Sequence, residues 1–205
     1  MKNTRIVLKL PSWVDGFVSN YRGGYTDKEK RMLFAIGLAR MNVDEKTGGP
    51  FGAAIFNTET NNLVAAGVNC VVPSKCSVAH AETMAIMLAQ RVLNTHNLGD
   101  QTLPRLELVT SSEPCSMCLG ALVWSGIPCV VSGARDKDVR TIGFDEGPKP
   151  PNWIDVLSNY GIVAHSDICR REAVAVLTAY KQAGQLIYNG AIKLSSRSPK
   201  SKKNS

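Results

Sequence analysis

The sequence predicts one α/β domain of three layers, in which a central mixed sheet of five strands lies between helices. Three observations lead to this expectation. Short apolar runs of strand length alternate with longer segments whose apolar residues recur at helical spacing. The 205 residues suffice for one hydrophobic core. Hydrophobic residues make up 44% and charged residues 20% of the chain, which is ordinary for globular proteins.

We expect three regions along the chain. Residues 1–25 contain Pro11 and three glycines among scattered aromatic residues, which predicts an irregular arm packed on the body. Residues 26–192 form the folded domain, because no linker divides them. Residues 193–205 hold five basic residues and no acidic one, so the rest of the chain has 19 basic and 17 acidic residues. This basic tail is expected to be disordered, since it cannot bury enough apolar surface.

The elements of the domain follow from turn and capping signals. Thr26, with Glu29 three residues later, is typical of a capping box and predicts a helix that ends near Met41. Two apolar runs with a polar turn between them then indicate a β-hairpin. In chain order, the later elements are predicted as hairpin strands 51–56 and 63–72, helix 79–93, strand 106–110, helix 115–125, strand 127–132, short helix 135–142, helical turn 153–157, strand 162–165, and a last helix from the cap Asp167 to about 183.

A His-x-Glu pattern at residues 80–82 is followed by Pro-Cys-x-x-Cys at residues 114–118. A catalytic zinc ion takes three protein ligands and leaves the fourth position to water or hydroxide. His80, Cys115 and Cys118 supply that number, and the positive ends of helices favour thiolates. The pattern therefore predicts one catalytic zinc per chain. Glu82 is then placed to move the proton of the activated water to a leaving amine.

Other interpretations of these residues stay open. A histidine in an Ala-rich helix is usually structural, and a Cys-x-x-Cys pair can be redox-active, although such pairs normally follow the first strand of a thioredoxin-like unit. Zinc can also be structural when a fourth ligand closes the site, for which Cys76 is the candidate. Cys70, Cys129 and Cys169 are expected to be buried or loosely placed thiols.

Residues 49–54 read Gly-Pro-Phe-Gly-Ala-Ala, residues 79–82 read Ala-His-Ala-Glu, and residues 112–121 read Ser-Glu-Pro-Cys-Ser-Met-Cys-Leu-Gly-Ala. Together these segments resemble the cytidine-deaminase-like zinc hydrolases, in which His-x-Glu and Pro-Cys-x-x-Cys form the zinc signature. Residues 143–146, Gly-Phe-Asp-Glu, are similar to a stretch of the bacterial guanine deaminase branch. The resemblance covers about residues 49–146.

The resemblance implies a zinc-dependent aminohydrolase of purine catabolism that converts guanine to xanthine and ammonia. It implies that Glu82 and Glu146 are catalytic, and it implies five substrate-binding residues, namely Phe51, Asn69, Ala81, Cys115 and Trp124. Phe51 can instead belong to the core, Asn69 to a turn and Trp124 to a packing contact. The family further implies a homodimer, in which a C-terminal residue such as Tyr188 reaches the neighbour's site or packs locally.

Two departures from the family leave the substrate open. Ser77, Val78 and Ala79 precede the histidine where relatives commonly have Asp-Pro-Thr-Ala, and Glu146 stands for a more usual aspartate. Guanosine, cytosine, an aminotriazine and adenosine in tRNA remain alternatives. A nucleic-acid partner is not expected, because residues 1–192 carry a net charge of only +2. No apolar run predicts a signal peptide or a membrane span, so we expect a cytoplasmic protein.

Overall fold

The computed structural model of the chain describes residues 6–189 and contains one sheet. Its strands are β1 Gly52–Asn57, β2 Asn62–Val68, β3 Leu106–Ser112, β4 Cys129–Ala134 and β5 Val163–His165. The helices of the described residues are α1 Trp13–Asn20, α2 Lys28–Asp44, α3 Val71–Ser74, α4 Ala81–Val92, α5 Ser116–Ser125, α6 Asp136–Ile142, α7 Trp153–Ser158 and α8 Arg170–Gln182.

The strands lie in the order β2-β1-β3-β4-β5. β1 is antiparallel to both of its neighbours, with Ala54 opposite Ala66 on β2 and Val109 on β3. β3, β4 and β5 are parallel and are joined by helical crossovers. The predicted mixed sheet of five strands in an α/β domain is therefore confirmed.

Helices cover both faces of this sheet, as the side chains of β1 show. Ala54 and Phe56 point into the core beneath α2 and α8, whereas Ala53 and Ile55 point into the core beneath α4. All four are fully buried. Burial on both faces explains why this strand is a continuous apolar run in the sequence rather than an alternating one.

The N-terminal arm is not irregular throughout, because residues 13–20 form helix α1. Val14 is buried, and the Phe17 ring lies 5.5 Å from the Phe34 ring of α2, measured between centroids. Gly16 made the segment resemble a loop. A glycine in a helix costs about 1 kcal/mol relative to alanine, which the packing of apolar side chains outweighs. The prediction of an irregular arm was wrong for this stretch.

Three predicted element ends were also wrong. Asp27, not Thr26, caps α2, because its Oδ1 accepts a hydrogen bond from the Lys30 amide at 2.8 Å. Asp167 does not cap α8, since its carboxylate accepts instead from Arg135, with Nε to Oδ1 at 2.7 Å. The second hairpin strand stops at 68, and Pro73, which cannot donate to a strand ladder, lies within α3.

Within residues 6–189, no helix is long and apolar enough to cross a membrane. The predicted basic tail, residues 193–205, lies outside the described residues. The division of the chain at residues 26 and 192 stays a prediction.

Candidate active site

The three predicted metal ligands lie at the beginnings of two helices that start close together. His80 is the N-cap residue of α4, so it precedes the helix in which the sequence predicted it. Cys115 is the N-cap residue of α5, and Cys118 lies in its first turn. Both N-cap residues have extended backbone conformations. The partial positive charge of the two helix N-termini therefore acts on the same small region and favours thiolate.

The donor atoms have the spacing that a tetrahedral zinc ion requires. His80 Nδ1 lies 3.5 Å from Cys115 Sγ and 3.7 Å from Cys118 Sγ. With bonds of about 2.3 Å to sulfur and about 2.0 Å to nitrogen, a tetrahedral site has an N to S separation of about 3.5 Å. Among residues 6–189, no fourth His, Cys, Asp or Glu belongs to this group. The set of donors therefore fits a zinc site with three protein ligands.

The pKa values of the two cysteine thiols are shifted in opposite directions. The hydrogen bond from the Cys118 thiol lowers the pKa of Cys115 to about 4, and His80 acts in the same direction. The same bond to Cys115, together with burial, raises the pKa of Cys118 well above its usual value. Cys115 is therefore a thiolate at neutral pH, which is the form that binds a metal.

Two buried carboxyl groups lie beside these donors. Glu82, in the first turn of α4, is 5% exposed, and burial and the Cys115 thiolate raise its pKa. Glu146, in the loop after α6, is 7% exposed, and burial together with Cys115 and Glu82 raises its pKa to about 8. Carboxyl groups with raised pKa values in a cavity are suited to transfer protons near neutral pH.

These groups open into one cavity of about 440 Å³, a size that is common for small-molecule sites. Six residues predicted from the sequence line it, namely Phe51, Asn69, His80, Glu82, Cys115 and Glu146. The sequence placed them on different elements, and the fold brings them together.

One side of the cavity is polar and the other is aromatic. Asn69 follows β2, and its Oδ1 accepts a hydrogen bond from the Val71 amide at 3.3 Å. Its Nδ2 has no protein partner in the described part of the chain and can donate to a ligand. Phe51 lies edge-on to Phe144, with ring centroids 5.1 Å apart. A flat ligand with a polar edge suits such a cavity.

Trp124 and Ala81 do not line the cavity, which corrects two predicted substrate contacts. Trp124 is 88% exposed, because it lies on the side of α5 turned away from Cys118, six residues earlier. Ala81 is fully buried in the core beneath α4. A Cβ on Gly67 of β2 would lie 2.2 Å from the Ala81 carbonyl oxygen, so helix and strand are in close contact there.

Asn42, a fully buried residue of α2, supports the polar side of the cavity and was not among the residues predicted from the sequence. Its Nδ2 donates to the carbonyl oxygens of Gly49 at 2.8 Å and Asn69 at 2.9 Å. Its Oδ1 accepts from the Thr47 hydroxyl, which in turn accepts from the Trp13 indole at 2.9 Å. A polar residue within an apolar helix face was the signal for this role.

The C-terminal segment of the chain lines its own cavity through Leu186 and Tyr188. Asn189 holds this segment on the loop after α6, because its Oδ1 accepts from the Asp145 amide at 2.8 Å and its Nδ2 donates to the Gly143 carbonyl at 2.9 Å. Tyr188 therefore contributes to the site of the same chain.

Comparisons with known proteins agree with this arrangement. Residues 25–134 match the family model of the cytidine and deoxycytidylate deaminase zinc-binding region. The guanine deaminase of Bacillus subtilis (strain 168) is 40% identical over 112 residues, which are 55% of this chain and 67% of that protein.

Solved structures extend the likeness to most of the chain. The structure of guanine deaminase from Nitrosomonas europaea has a TM-score of 0.83 at 43% identity, and the match covers 89% of this chain and 99% of that one. The structure of NE0047 in complex with 2,6-diaminopurine has a TM-score of 0.82 at 44% identity, covering 89% of this chain and 96% of the other. The extent of the family match and the donor geometry lead to one conclusion: the chain belongs to the cytidine and deoxycytidylate deaminase zinc-binding family.

Proposed function

We propose that this protein hydrolyses guanine to xanthine and ammonia. The observation that carries the proposal is one cavity lined by two of the three metal donors, His80 and Cys115, and by the buried carboxyl groups of Glu82 and Glu146. The third donor, Cys118, lies beside them in the core. The choice of guanine is supported by the guanine deaminases of Bacillus subtilis and Nitrosomonas europaea, the latter similar over nearly its whole length.

The proposed cofactor is one zinc ion per chain, held by His80, Cys115 and Cys118, with the fourth position left for water. Zinc, when bound, supplies the Lewis acidity that makes water a nucleophile near neutral pH. The chain contributes the shape and dryness of the site, since Cys118 is completely buried and Cys115 nearly so.

Glu82 is the proposed proton carrier. It lies in the cavity two residues after His80, and its carboxyl group has little access to bulk water. In the proposed reaction it accepts one proton of the attacking water and gives it to the neighbouring ring nitrogen. It then takes the second proton from the hydroxyl group now bound to the carbon and gives it to the amine, which departs as ammonia while the carbonyl group forms. A raised pKa aids the second half of this cycle, because a more basic carboxylate holds the proton until the leaving group needs it.

Glu146, Asn69 and Phe51 are proposed to hold the base. The Glu146 carboxyl group, whose pKa is raised by burial and by Cys115, forms a hydrogen bond with a nitrogen or oxygen of the base. The free Nδ2 of Asn69 donates to an acceptor on another edge, and the Phe51 ring packs on the face. The backbone N–H of Cys115, the N-cap residue of α5, is the proposed donor that stabilises negative charge developing on the base.

A free base suits this cavity better than a nucleotide within RNA. Leu186 and Tyr188 line the same cavity of about 440 Å³, which limits the room for a polymer attached to the base. The nearly neutral charge of residues 1–192 also provides little attraction for phosphates. Guanosine, cytosine and aminotriazines remain the alternatives that activity must distinguish.

A purely structural zinc site is less well supported. Such a site normally has four protein ligands, and within the described residues the cluster has three, with Cys76 outside it.

We further propose that two chains associate through α4 and α5. Trp124 is 88% exposed on α5, and Val92 and Met87 are exposed on the adjoining α4. A Cβ on Gly120 of α5 would meet nothing within 4 Å, so this surface is open to a partner. An apolar face of this kind on neighbouring helices is typical of an interface between copies.

An ammonia-release assay tests the proposed reaction directly. The zinc-loaded protein is assayed with each of five substrates: guanine, guanosine, cytosine, an aminotriazine and adenosine-containing tRNA. We expect the highest kcat/KM for guanine. Deleting residues 193–205 should leave this activity unchanged. If another compound of the panel had a higher kcat/KM, that compound and not guanine would be the preferred substrate. If none of them released ammonia, the proposal would be refuted.

A further inference from the structure

The loop between α6 and α7 carries Glu146 but has little backbone support of its own. One backbone bond, from the Ser116 amide to the Glu146 carbonyl at 3.0 Å, connects it to α5. The Glu146 side chain nevertheless has to be held in a fixed direction if its carboxyl group is to meet the substrate. Side-chain contacts elsewhere in the loop must supply this support.

Lys149, at the end of the loop, provides the most buried of these contacts. Its side chain is only 4% exposed, and its Nζ lies 2.8 Å from Glu113 Oε2. The ammonium group also lies 4.7 Å from the centroid of the Trp153 ring. Lys149 does not line the cavity, whereas Glu113 does. The lysine therefore affects the cavity only indirectly, through side chains such as Glu113 that it contacts.

Glu113 connects this lysine to the metal donors. It lies two residues before Cys115, and its own amide donates to the Ala134 carbonyl of β4 at 2.7 Å. Its Oε2 also accepts from the Asp136 amide, at the start of α6, at 3.1 Å. One carboxylate thus joins the segment before α5, the start of α6 and the end of the loop.

Asp136 offers a second acceptor for the same ammonium group. Its Oδ1, 4.0 Å from Lys149 Nζ, is the one buried side-chain oxygen or nitrogen without a hydrogen-bond partner in residues 6–189. Its Oδ2 pairs with Arg140, whose guanidinium also contacts Asp145 at 3.3 Å and the Gly147 carbonyl at 3.0 Å. Arg140 is 40% exposed, so water weakens its contacts. Lys149 is the shielded anchor of the loop.

A buried ion pair is a poor source of stability, because desolvating both charges offsets most of their attraction. A buried ion pair beside a reaction site is better explained by its effect on geometry, because it holds nearby side chains in fixed positions. We propose that Lys149 is a positioning residue: its ammonium group anchors residues 143–149 to Glu113 and thereby holds the Glu146 carboxyl group in the cavity. This inference rests on the proposed function, in which Glu146 contacts the base.

The test compares Lys149→Met with wild type and with the control Lys137→Met, which removes an exposed lysine of α6. For Lys149→Met we expect kcat on guanine to fall by about 10- to 100-fold at unchanged zinc content, as for other residues that orient a metal site. Lys137→Met should match wild type. A wild-type kcat in Lys149→Met would overturn the proposal.

A double variant distinguishes positioning from a general loss of structure. If Lys149 acts through Glu146, adding Lys149→Met to Glu146→Gln should lower kcat no further than Glu146→Gln alone. Losses that multiply would show that Lys149 acts independently of Glu146, against the proposal. If Lys149→Met does not fold, a double variant that combines it with Glu113→Gln removes both buried charges. This double variant should show the same fall in kcat. Wild-type kcat in that pair would equally refute the anchor.

Hydrogen exchange provides a measurement that is independent of the substrate. Amides of residues 143–149 should exchange at least about tenfold faster in Lys149→Met than in wild type or Lys137→Met, because a lost contact lowers the cost of local opening. Unchanged exchange would refute the anchor. If wild type releases no ammonia from guanine, the proposed function fails, while hydrogen exchange still decides whether Lys149 anchors the loop.

Discussion

Replacing Gly48 with alanine should disturb the base-binding side of the cavity and leave the metal donors in place. A Cβ at this position would lie 1.9 Å from the Asn69 carbonyl oxygen and 2.7 Å from Asn42 Nδ2. Carbon and carbonyl oxygen normally approach to about 3.3 Å, so the two segments have to separate by more than about 1 Å. The movement breaks the bond from Asn42 to the Asn69 carbonyl and shifts the Asn69 amide.

A misplacement of about 1 Å can cost roughly 100-fold in rate, and we expect a loss of this size in kcat/KM for guanine. Overpacking should lower the free energy of unfolding by about 1–3 kcal/mol. Zinc content should equal that of wild type, since His80 and Cys118 lie on other segments. The measurements are steady-state ammonia release, urea unfolding and zinc analysis of the purified protein.

Gly16→Ala is the matched control for Gly48→Ala. A Cβ at Gly16 meets no atom within 4 Å, and the residue lies inside α1. This variant should gain about 0.5–1 kcal/mol of stability at unchanged kcat/KM. If Gly48→Ala retained wild-type kcat/KM, the idea that backbone contact at Asn69 controls the site would be wrong.

Four further outcomes are expected. Glu82→Gln should lower turnover by about 10²-fold or more while zinc content stays at the wild-type level, measured by ammonia release and metal analysis; full turnover would exclude Glu82 as proton carrier. Asn42→Ala leaves two carbonyl groups without their donor, so unfolding in urea should become easier by about 1–3 kcal/mol and KM for guanine should rise. Arg170 lowers the pKa of Asp138, so this pair stabilises the fold above the ordinary pKa of about 4 and the contribution disappears as pH falls through the lowered value. Asp138→Asn should therefore reduce stability by about 1 kcal/mol at pH 7 and by less at acid pH, and equal losses at both would contradict the assignment. If two chains associate through α4 and α5 as proposed, wild type should sediment as a dimer and Trp124→Glu as a monomer. A monomeric wild type would refute the association, and an unchanged dimer in Trp124→Glu would place the interface elsewhere.

Much of the site could be predicted from the sequence because its chemistry is encoded in short segments. His80 and Glu82 are two residues apart, Cys115 and Cys118 three, and each pair lies at the start of one helix. Helix geometry alone then fixes their relative positions. Glu146 was indicated by its own four-residue segment, and it is buried in the lining of the same cavity, while its catalytic role stays a prediction.

The residues that sequence reasoning missed act across long distances in the chain. Asn42 bonds to a carbonyl 27 residues away, and Lys149 pairs with Glu113 36 residues away. The one local signal for Asn42 was a polar residue on an apolar helix face, which does not name its partner, and Lys149 has no local pattern that distinguishes it from an ordinary loop residue. The misplaced cap at Asp167 has the same origin, because Asp167 pairs with Arg135, which is 32 residues distant. A tertiary partner outweighed the local capping preference at that position.

The sequence by itself determined the α/β class and most of the helices and strands, although it missed α1 and α3. It also predicted the three candidate metal donors and the two carboxyl groups that the fold brings together. Periodicity, caps and short-range spacing are properties of neighbouring residues, so they can be read before the chain folds. Only the tertiary structure decided which way single side chains face. Trp124 and Ala81 have the residue types of a base pocket, yet one faces outward and the other lies in the core. The direction in which a helix packs on the sheet sets the direction of each side chain, and this depends on all the contacts of the core at once.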